Sequence, residues 1–209
     1  MKGSTESQMV LVVDDDPLVR KALTYLFESM ELPVKAFTNA SELLDTKLPD
    51  VPSCLVLDIR LPGGSGLEFQ DELFKAGIQI PIVFLTGHGD IPMSVKAMKA
   101  GAVDFLTKPF RDQDMLDAVT RALERDRKRR VSEKTRSDLR QRFEALTRRE
   151  QEVMALAASG LRNKQIAYQL HVEEITVKIH RGRAMKKMEA RSIADLVSMA
   201  EVLGIRKTS

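Results

Sequence analysis

Short apolar runs alternate with helix-like segments through the N-terminal half of the chain. The runs are MVLVV, PVKAF, SCLVLD, IPIVFLT and VDFLT, and each precedes a segment whose apolar residues recur three and four positions apart. Helices are predicted over 17–30, 39–47, 66–76, 90–100 and from 111 onward. This alternation predicts an α/β domain, with a five-stranded parallel sheet and helices on both faces.

The C-terminal half has helical patterns and no predicted strand. From Asp112 a helical pattern runs without Gly or Pro until Gly160 and begins as one long helix. Its basic run 125–130 is interpreted as a solvated face, and the alternative is direct contact with DNA. Thr147 and Glu150 have the spacing of a capping box at the start of a shorter helix. Further helices are predicted over 163–170, 174–188 and 192–203. The turn near His171 before a basic helix is typical of a helix-turn-helix.

Charge divides the chain in the same way. Residues 1–123 carry 12 Lys and Arg against 18 Asp and Glu, a net charge of −6, whereas residues 124–209 carry 21 against 12, a net charge of +9. A basic half favours a polyanionic partner, because Lys and Arg displace counterions from phosphates. We therefore predict an acidic domain over 1–123, a helical linker over 124–142 and a basic helix-turn-helix domain over 143–209.

Several classes of protein are disfavoured by composition. Cys54 is the single cysteine and lies in an apolar run, so it is interpreted as a buried side chain rather than a reactive thiol. The apolar runs are too short to cross a membrane, and the N-terminal MKGSTESQ lacks the apolar core of a signal peptide. These features predict a cytoplasmic protein without a membrane partner.

Polar residues follow the predicted strands. Three aspartates, Asp14 to Asp16, follow the first strand, Asp58 ends the third, Thr86 ends the fourth and Lys108 follows the fifth. The carboxyl ends of parallel strands meet at one edge of a sheet, where ligand sites form. Carboxylates brought together there repel one another, and a hard divalent cation such as Mg²⁺ relieves the repulsion.

The motifs VVDDDP, LVLDIRLPGGSGLE, PIVFLTGHGD and MKAGAVDFLTKPF, in this order and at these spacings, resemble the receiver domain of two-component response regulators. The resemblance implies a flavodoxin-like fold that accepts a phosphoryl group from a sensor histidine kinase on Asp58. It also implies Mg²⁺ held directly by Asp15, Asp58 and the backbone carbonyl of Arg60, with Asp14 acting through water. Asp16 falls outside this set and is expected near the start of the first helix.

The resemblance also implies a switch. Lys108 supplies a cation for phosphoryl transfer, and Thr86 hydrogen-bonds the phosphoryl group once it arrives. As Thr86 moves, Phe105 turns into the vacated space, which reshapes the surface over residues 91–122. The alternative for Phe105 is a plain core residue.

The motifs LTRREQEVMALAASG, NKQIAYQL and TVKIHR resemble the LuxR/NarL-type DNA-binding domain, which implies four helices that bind DNA as a dimer. By position, Lys178, Ile179 and Arg181 are expected in the major groove, with Thr176, His180 and Arg183 toward its edge or the backbone. Three positions depart from the family pattern: His171 replaces a turn glycine, Glu173 replaces a serine cap, and Gly182 removes a contact. His tolerates a left-handed backbone, so the turn is expected to survive.

Together the two halves are identified as a member of the NarL/FixJ family of response regulators, which are not enzymes. The implied partners are a sensor histidine kinase, double-stranded DNA, a second copy of the chain when Asp58 is phosphorylated, and RNA polymerase. One rival is a Mg²⁺-dependent phosphohydrolase, but it would need an aspartate at the position of Arg60. The other is a DNA-binding or scaffold protein whose receiver only dimerises, independently of phosphorylation.

Overall fold

The computed structural model describes residues 8–62, 64–87 and 91–205. It divides into two compact units, Met1–Arg130 and Val131–Ser209. Positions 88–90 of the third receiver motif, PIVFLTGHGD, lie outside the described residues, as does most of the N-terminal MKGSTESQ. Among the described residues, no helix is both long enough and apolar enough to cross a bilayer.

Unit one is built on a five-stranded parallel sheet. Its strands are β1 (Met9–Val13), β2 (Val34–Phe37), β3 (Ser53–Asp58), β6 (Ile82–Thr86) and β7 (Asp104–Thr107), and a separate antiparallel pair is formed by β4 (Arg60–Leu61) and β5 (Gly64–Ser65). The order of the strands across the sheet is β2-β1-β3-β6-β7. The helices are α1 (Pro17–Ser29), α2 (Ala40–Leu44), α3 (Gly66–Lys75), α4 (Ile91–Lys99) and α5 (Asp112–Glu144). The predicted α/β fold is confirmed.

Alternate residues of the central strands enter two separate cores. On β3, Cys54 and Val56 pack with residues of α1 and α5, whereas Leu55 and Leu57 pack with residues of α2, α3 and α4. Successive side chains of a strand point to opposite faces, so a strand covered on both sides is apolar throughout. The continuous apolar runs of the sequence are explained by these two cores.

The β4–β5 hairpin brings the start of α3 against the end of β3. The backbone N–H of Gly66 donates to the carbonyl oxygen of Ile59 at 2.8 Å. A Cβ atom at Gly66 would lie only 2.5 Å from the carbonyl oxygen of Asp58. Only glycine allows this approach without a shift of the backbone, and the hairpin was not predicted from the sequence.

Helix α5 is continuous through the predicted linker. Asp126 is fully buried and accepts a hydrogen bond from the backbone N–H of Ser53 at 2.9 Å, as well as bonds from Arg129 and Arg130 at 2.7 Å. The interpretation of 125–130 as a solvated face is therefore wrong at Asp126, which fastens this part of α5 to the start of β3. The next eight residues, 131–138, are all exposed.

Unit two contains the end of α5 followed by α6 (Arg148–Ala158), α7 (Asn163–Leu170), α8 (Glu174–Met188) and α9 (Ile193–Leu203). Thr147 and Glu150 form the capping box at the start of α6. His171 ends α7 in the left-handed conformation with φ of 52°, so the turn survives without glycine as expected. Glu173 precedes α8 without a side-chain cap. The core of this unit includes Ile166 and Val177.

Candidate functional site

The carboxyl ends of the central strands bring the polar residues of unit one together. Asp14 follows β1, Asp58 ends β3, and these two strands are direct neighbours in the sheet. Lys108 follows β7, and its backbone N–H donates to the carbonyl oxygen of Thr86 at 2.7 Å. The sheet therefore collects at one edge the residues that stand far apart in the sequence.

Lys108 lies between two carboxylates. Its Nζ is 2.6 Å from Oδ2 of Asp14 and 2.6 Å from Oδ2 of Asp58. Burial raises the pKa of Asp14, although the hydrogen bond from Lys108 opposes the shift. Burial acts to lower the pKa of Lys108, but its bonds to both carboxylates outweigh burial and raise that pKa. The lysine is thus held protonated at the centre of the site.

The remaining carboxylate oxygens receive backbone hydrogen bonds. Asp14 Oδ1 accepts from the N–H of Asp16 at 2.9 Å, and Asp58 Oδ1 accepts from the N–H of Arg60 at 2.9 Å. Asp16 itself is exposed and caps α1 by accepting from the N–H of Leu18 at 2.8 Å. These bonds fix the orientation of both buried carboxylates.

Asp14, Asp15 and Asp58 form a group able to hold a metal ion. One oxygen from each of them lies within 4.8 Å of the others, with Asp15 exposed and the other two buried. A set of hard oxygen donors open to water on one side suits a small divalent cation such as Mg²⁺, which keeps several waters. The acidic cluster predicted from the strand ends is therefore present.

Thr86 and Phe105 lie on the same side of the sheet. Phe84 and Phe105 are register partners on β6 and β7, and both contact the core that contains Leu55 and Leu57. Thr86 is two residues beyond Phe84, so its side chain points to that face as well. Thr86 is fully buried, whereas Phe105 is half-buried.

Helix α8 of unit two presents one exposed face. Val177, Ala184 and Met188 are fully buried on its inner side. The exposed residues at helical spacing on the opposite side are Ile175, Lys178, Ile179, Gly182, Arg183 and Lys186. This face combines cationic and apolar side chains.

The expected DNA contacts divide into two groups on this helix. Lys178, Ile179 and Arg183 belong to the exposed face, whereas Thr176 and His180 are half-buried at its margin. Arg181 is half-buried on the other margin, and its Nη1 donates to Oδ1 of Asn163 at 2.9 Å. Sequence reasoning missed two members of the exposed face.

The missed residues are Ile175 and Lys186. Ile175 lies three residues before Lys178 on α8, and Lys186 lies four residues after Gly182. Both follow the same helical spacing as the residues that were expected, so periodicity applied along the whole of α8 would have found them.

Comparison with known proteins matches both units. Residues 10–120 match the response regulator receiver domain, and residues 144–200 match the bacterial regulatory proteins of the luxR family. Nodulation protein W of Bradyrhizobium diazoefficiens is 60% identical over 206 residues, which cover 97% of this chain and 91% of that protein. The transcriptional regulatory protein FixJ of Azorhizobium caulinodans is 42% identical over 200 residues, covering 96% of this chain and 95% of FixJ.

Among solved structures, the response regulator StyR superposes with a TM-score of 0.83 at 48% identity, and the match covers 93% of this chain and 98% of StyR. The fold, the acidic site and these matches define a two-component response regulator, which regulates transcription through a LuxR-type DNA-binding output domain and is not an enzyme. The chain belongs to the FixJ/NarL family of response regulators.

Proposed function

We propose that Asp58 is the phosphoacceptor of this response regulator, and that a sensor histidine kinase is the donor. The observation that carries the proposal is the pairing of Lys108 with both Asp14 and Asp58 at 2.6 Å beside an exposed third carboxylate. In the transfer, a carboxylate oxygen of Asp58 forms a bond to phosphorus while the bond from phosphorus to the donor breaks. Lys108 is placed to bind an oxygen of the group in transit.

Mg²⁺ is the metal we assign to this site. Asp15, Asp58 and the backbone carbonyl of Arg60 would hold it directly, and Asp14 through water. When bound, it supplies positive charge to the phosphoryl oxygens during transfer. The chemistry of the donor set supports this assignment, since Mg²⁺ prefers carboxylate, carbonyl and water oxygens.

Thr86 and Phe105 form the switch in this proposal. The phosphoryl group adds about −1.5 to −2 charges and three acceptor oxygens, which draw the Thr86 hydroxyl into a new hydrogen bond. Phe105 then turns toward the space that Thr86 leaves. Their placement on one face of neighbouring strands supports the coupling. Phosphorylation shifts the populations of two conformations that both exist beforehand.

The output is sequence-specific binding of double-stranded DNA by a homodimer of the phosphorylated chain, which then acts on RNA polymerase. The proposed boundaries are a receiver over 1–123, a helical linker over 124–142 and a DNA-binding domain over 143–209. The residues proposed to contact DNA are Thr176, Lys178, Ile179, His180, Arg181 and Arg183. A transcription factor of this kind works in the cytoplasm, where bacterial DNA lies.

Intact mass after incubation with Mg²⁺ and a small-molecule phosphodonor tests the acceptor. We expect one phosphoryl group on the wild-type chain and none on Asp58→Asn or in a Mg²⁺-free sample. Asp16→Asn is the matched control, because Asp16 is exposed and asparagine can cap α1 equally well. Adduct formation that survives in Asp58→Asn, or that also disappears in Asp16→Asn, would overturn the assignment.

A second variant tests the switch. Thr86→Ala is expected to take up the phosphoryl group on Asp58 but to show a reduced gain in DNA affinity, because the hydroxyl that senses the new oxygens is missing. DNA affinity is measured for both proteins before and after phosphorylation. An equal gain in the two proteins would remove Thr86 from the mechanism, and no gain in either would favour a receiver that only dimerises.

A further inference from the structure

Two isoleucines on helix α8 are exposed where a water-facing helix would ordinarily carry polar residues. Ile175 is 57% exposed and Ile179 is 48% exposed, although both belong to a helix whose inner side is already filled by Val177, Ala184 and Met188. They stand four residues apart, so they are neighbours on one face of the helix. Neither packs into the core of unit two.

Cationic side chains surround this apolar pair. Lys178, Arg183 and Lys186 are exposed on the same face, and Nζ of Lys178 lies 3.9 Å from Oε1 of Glu174 in the first turn of the helix. A face of this charge complements a polyanion. The major groove of DNA presents phosphates along its edges and one kind of apolar group on its floor, the C5-methyl group of thymine.

We propose that Ile175 and Ile179 are specificity-determining residues that read the methyl groups of two thymines in the operator half-site. This inference rests on the proposed DNA-binding function and names the bases that the site would prefer. Four residues of helix advance about 6 Å, and base pairs are stacked about 3.4 Å apart. The two thymines therefore lie within about two base-pair steps of each other.

The test begins with selection of binding sites by the full chain from a pool of random-sequence duplexes, with the phosphorylated and the untreated protein. Each thymine of the enriched site is then replaced by uracil, which lacks only the methyl group. We expect uracil at two positions to weaken binding by the wild-type protein about three- to fivefold each, the factor that corresponds to burial of one methyl group. Uracil elsewhere should have little effect.

The variants Ile175→Ala and Ile179→Ala test which isoleucine contacts which thymine. Each variant should become insensitive to uracil at one of the two positions and stay sensitive at the other. Val131→Ala is the matched control, because Val131 is a β-branched residue that is 62% exposed and belongs to a different helix, α5. It should keep the wild-type sensitivity at both positions. All three side chains are exposed, so the variants should fold, which circular dichroism checks.

Two results would overturn the proposal in distinguishable ways. If a specific sequence is enriched but uracil is tolerated at every position, or if both isoleucine variants keep full sensitivity, the DNA-binding function stands and the thymine-reading role is wrong. If neither form of the protein enriches any sequence, the proposed DNA-binding function is wrong and the inference is overturned with it.

Discussion

Replacement of Gly66 by alanine tests how the phosphoacceptor strand is packed. The added Cβ would lie 2.5 Å from the carbonyl oxygen of Asp58, whereas ordinary van der Waals contact begins at 3.4 Å, so the two must separate by about 0.9 Å. Forced overpacking of a core by a methyl group costs about 1–3 kcal/mol. The shift would also strain the 2.8 Å hydrogen bond from Gly66 to Ile59, which contributes about 1 kcal/mol. We expect Gly66→Ala to destabilise unit one by about 2–4 kcal/mol.

Hydrogen exchange read by mass spectrometry on peptides from β3 is the suitable assay, because a chain with two units need not unfold in one transition. Gly64→Ala is the matched control, since a Cβ there would meet only the Glu68 side chain at 3.5 Å, an ordinary contact. The backbone amides of β3 should exchange faster in Gly66→Ala than in the wild type, and at the wild-type rate in Gly64→Ala. Equal protection in the two variants would refute the argument from close approach.

Three further predictions concern buried ionisable groups. In unit two, Lys187 Nζ lies 2.7 Å from the buried carboxylate of Glu150. Lys187→Met leaves this carboxylate without its charged partner and should cost about 1–3 kcal/mol of stability, measured by hydrogen exchange on peptides of unit two. Protection equal to that of the wild type would contradict this. Lys187 holds the pKa of Glu150 below its usual 4.5. The carboxylate therefore stabilises the fold above pH 4.5, and this contribution is lost as the pH falls through the lowered value. In Lys187→Met the pKa of Glu150 loses the main cause of its lowering, so the stability lost between pH 4.5 and lower pH should be smaller than in the wild type. Burial raises the pKa of the Cys54 thiol, so it should react with a thiol reagent at pH 8 only after unfolding, and rapid labelling of the native chain would contradict its burial.

The sheet and its helices were predictable because their signals are local. Each strand of the five-stranded sheet has an apolar run long enough to recognise, and each helix has its own periodicity. The β4–β5 hairpin was missed, since strands of two residues show no period. Its consequence, the close approach of Gly66 to Asp58, depends on backbone packing that composition does not encode.

The members of the acidic cluster were predictable from the strand ends, but their pairing was not. Whether Lys108 contacts one carboxylate or two depends on side-chain conformations and on the order of strands. Asp126 illustrates the same limit, because a carboxylate among arginines looks solvated in sequence and is buried only when α5 packs against β3. On α8, family position placed Arg181 in the groove, whereas its hydrogen bond to Asn163 depends on the packing of α7.

The exposed stretch 131–138 of helix α5 has a practical consequence for handling the protein. A protease cleaves a helix only where several residues can open together, and opening costs least where side chains have little packing to lose. This stretch contains Lys134 and Arg136, both exposed, and the Thr135 hydroxyl donates to the Val131 carbonyl at 2.9 Å, a bond that weakens helices slightly. Brief digestion with trypsin should therefore cut here first and yield the two halves of the chain as separable fragments.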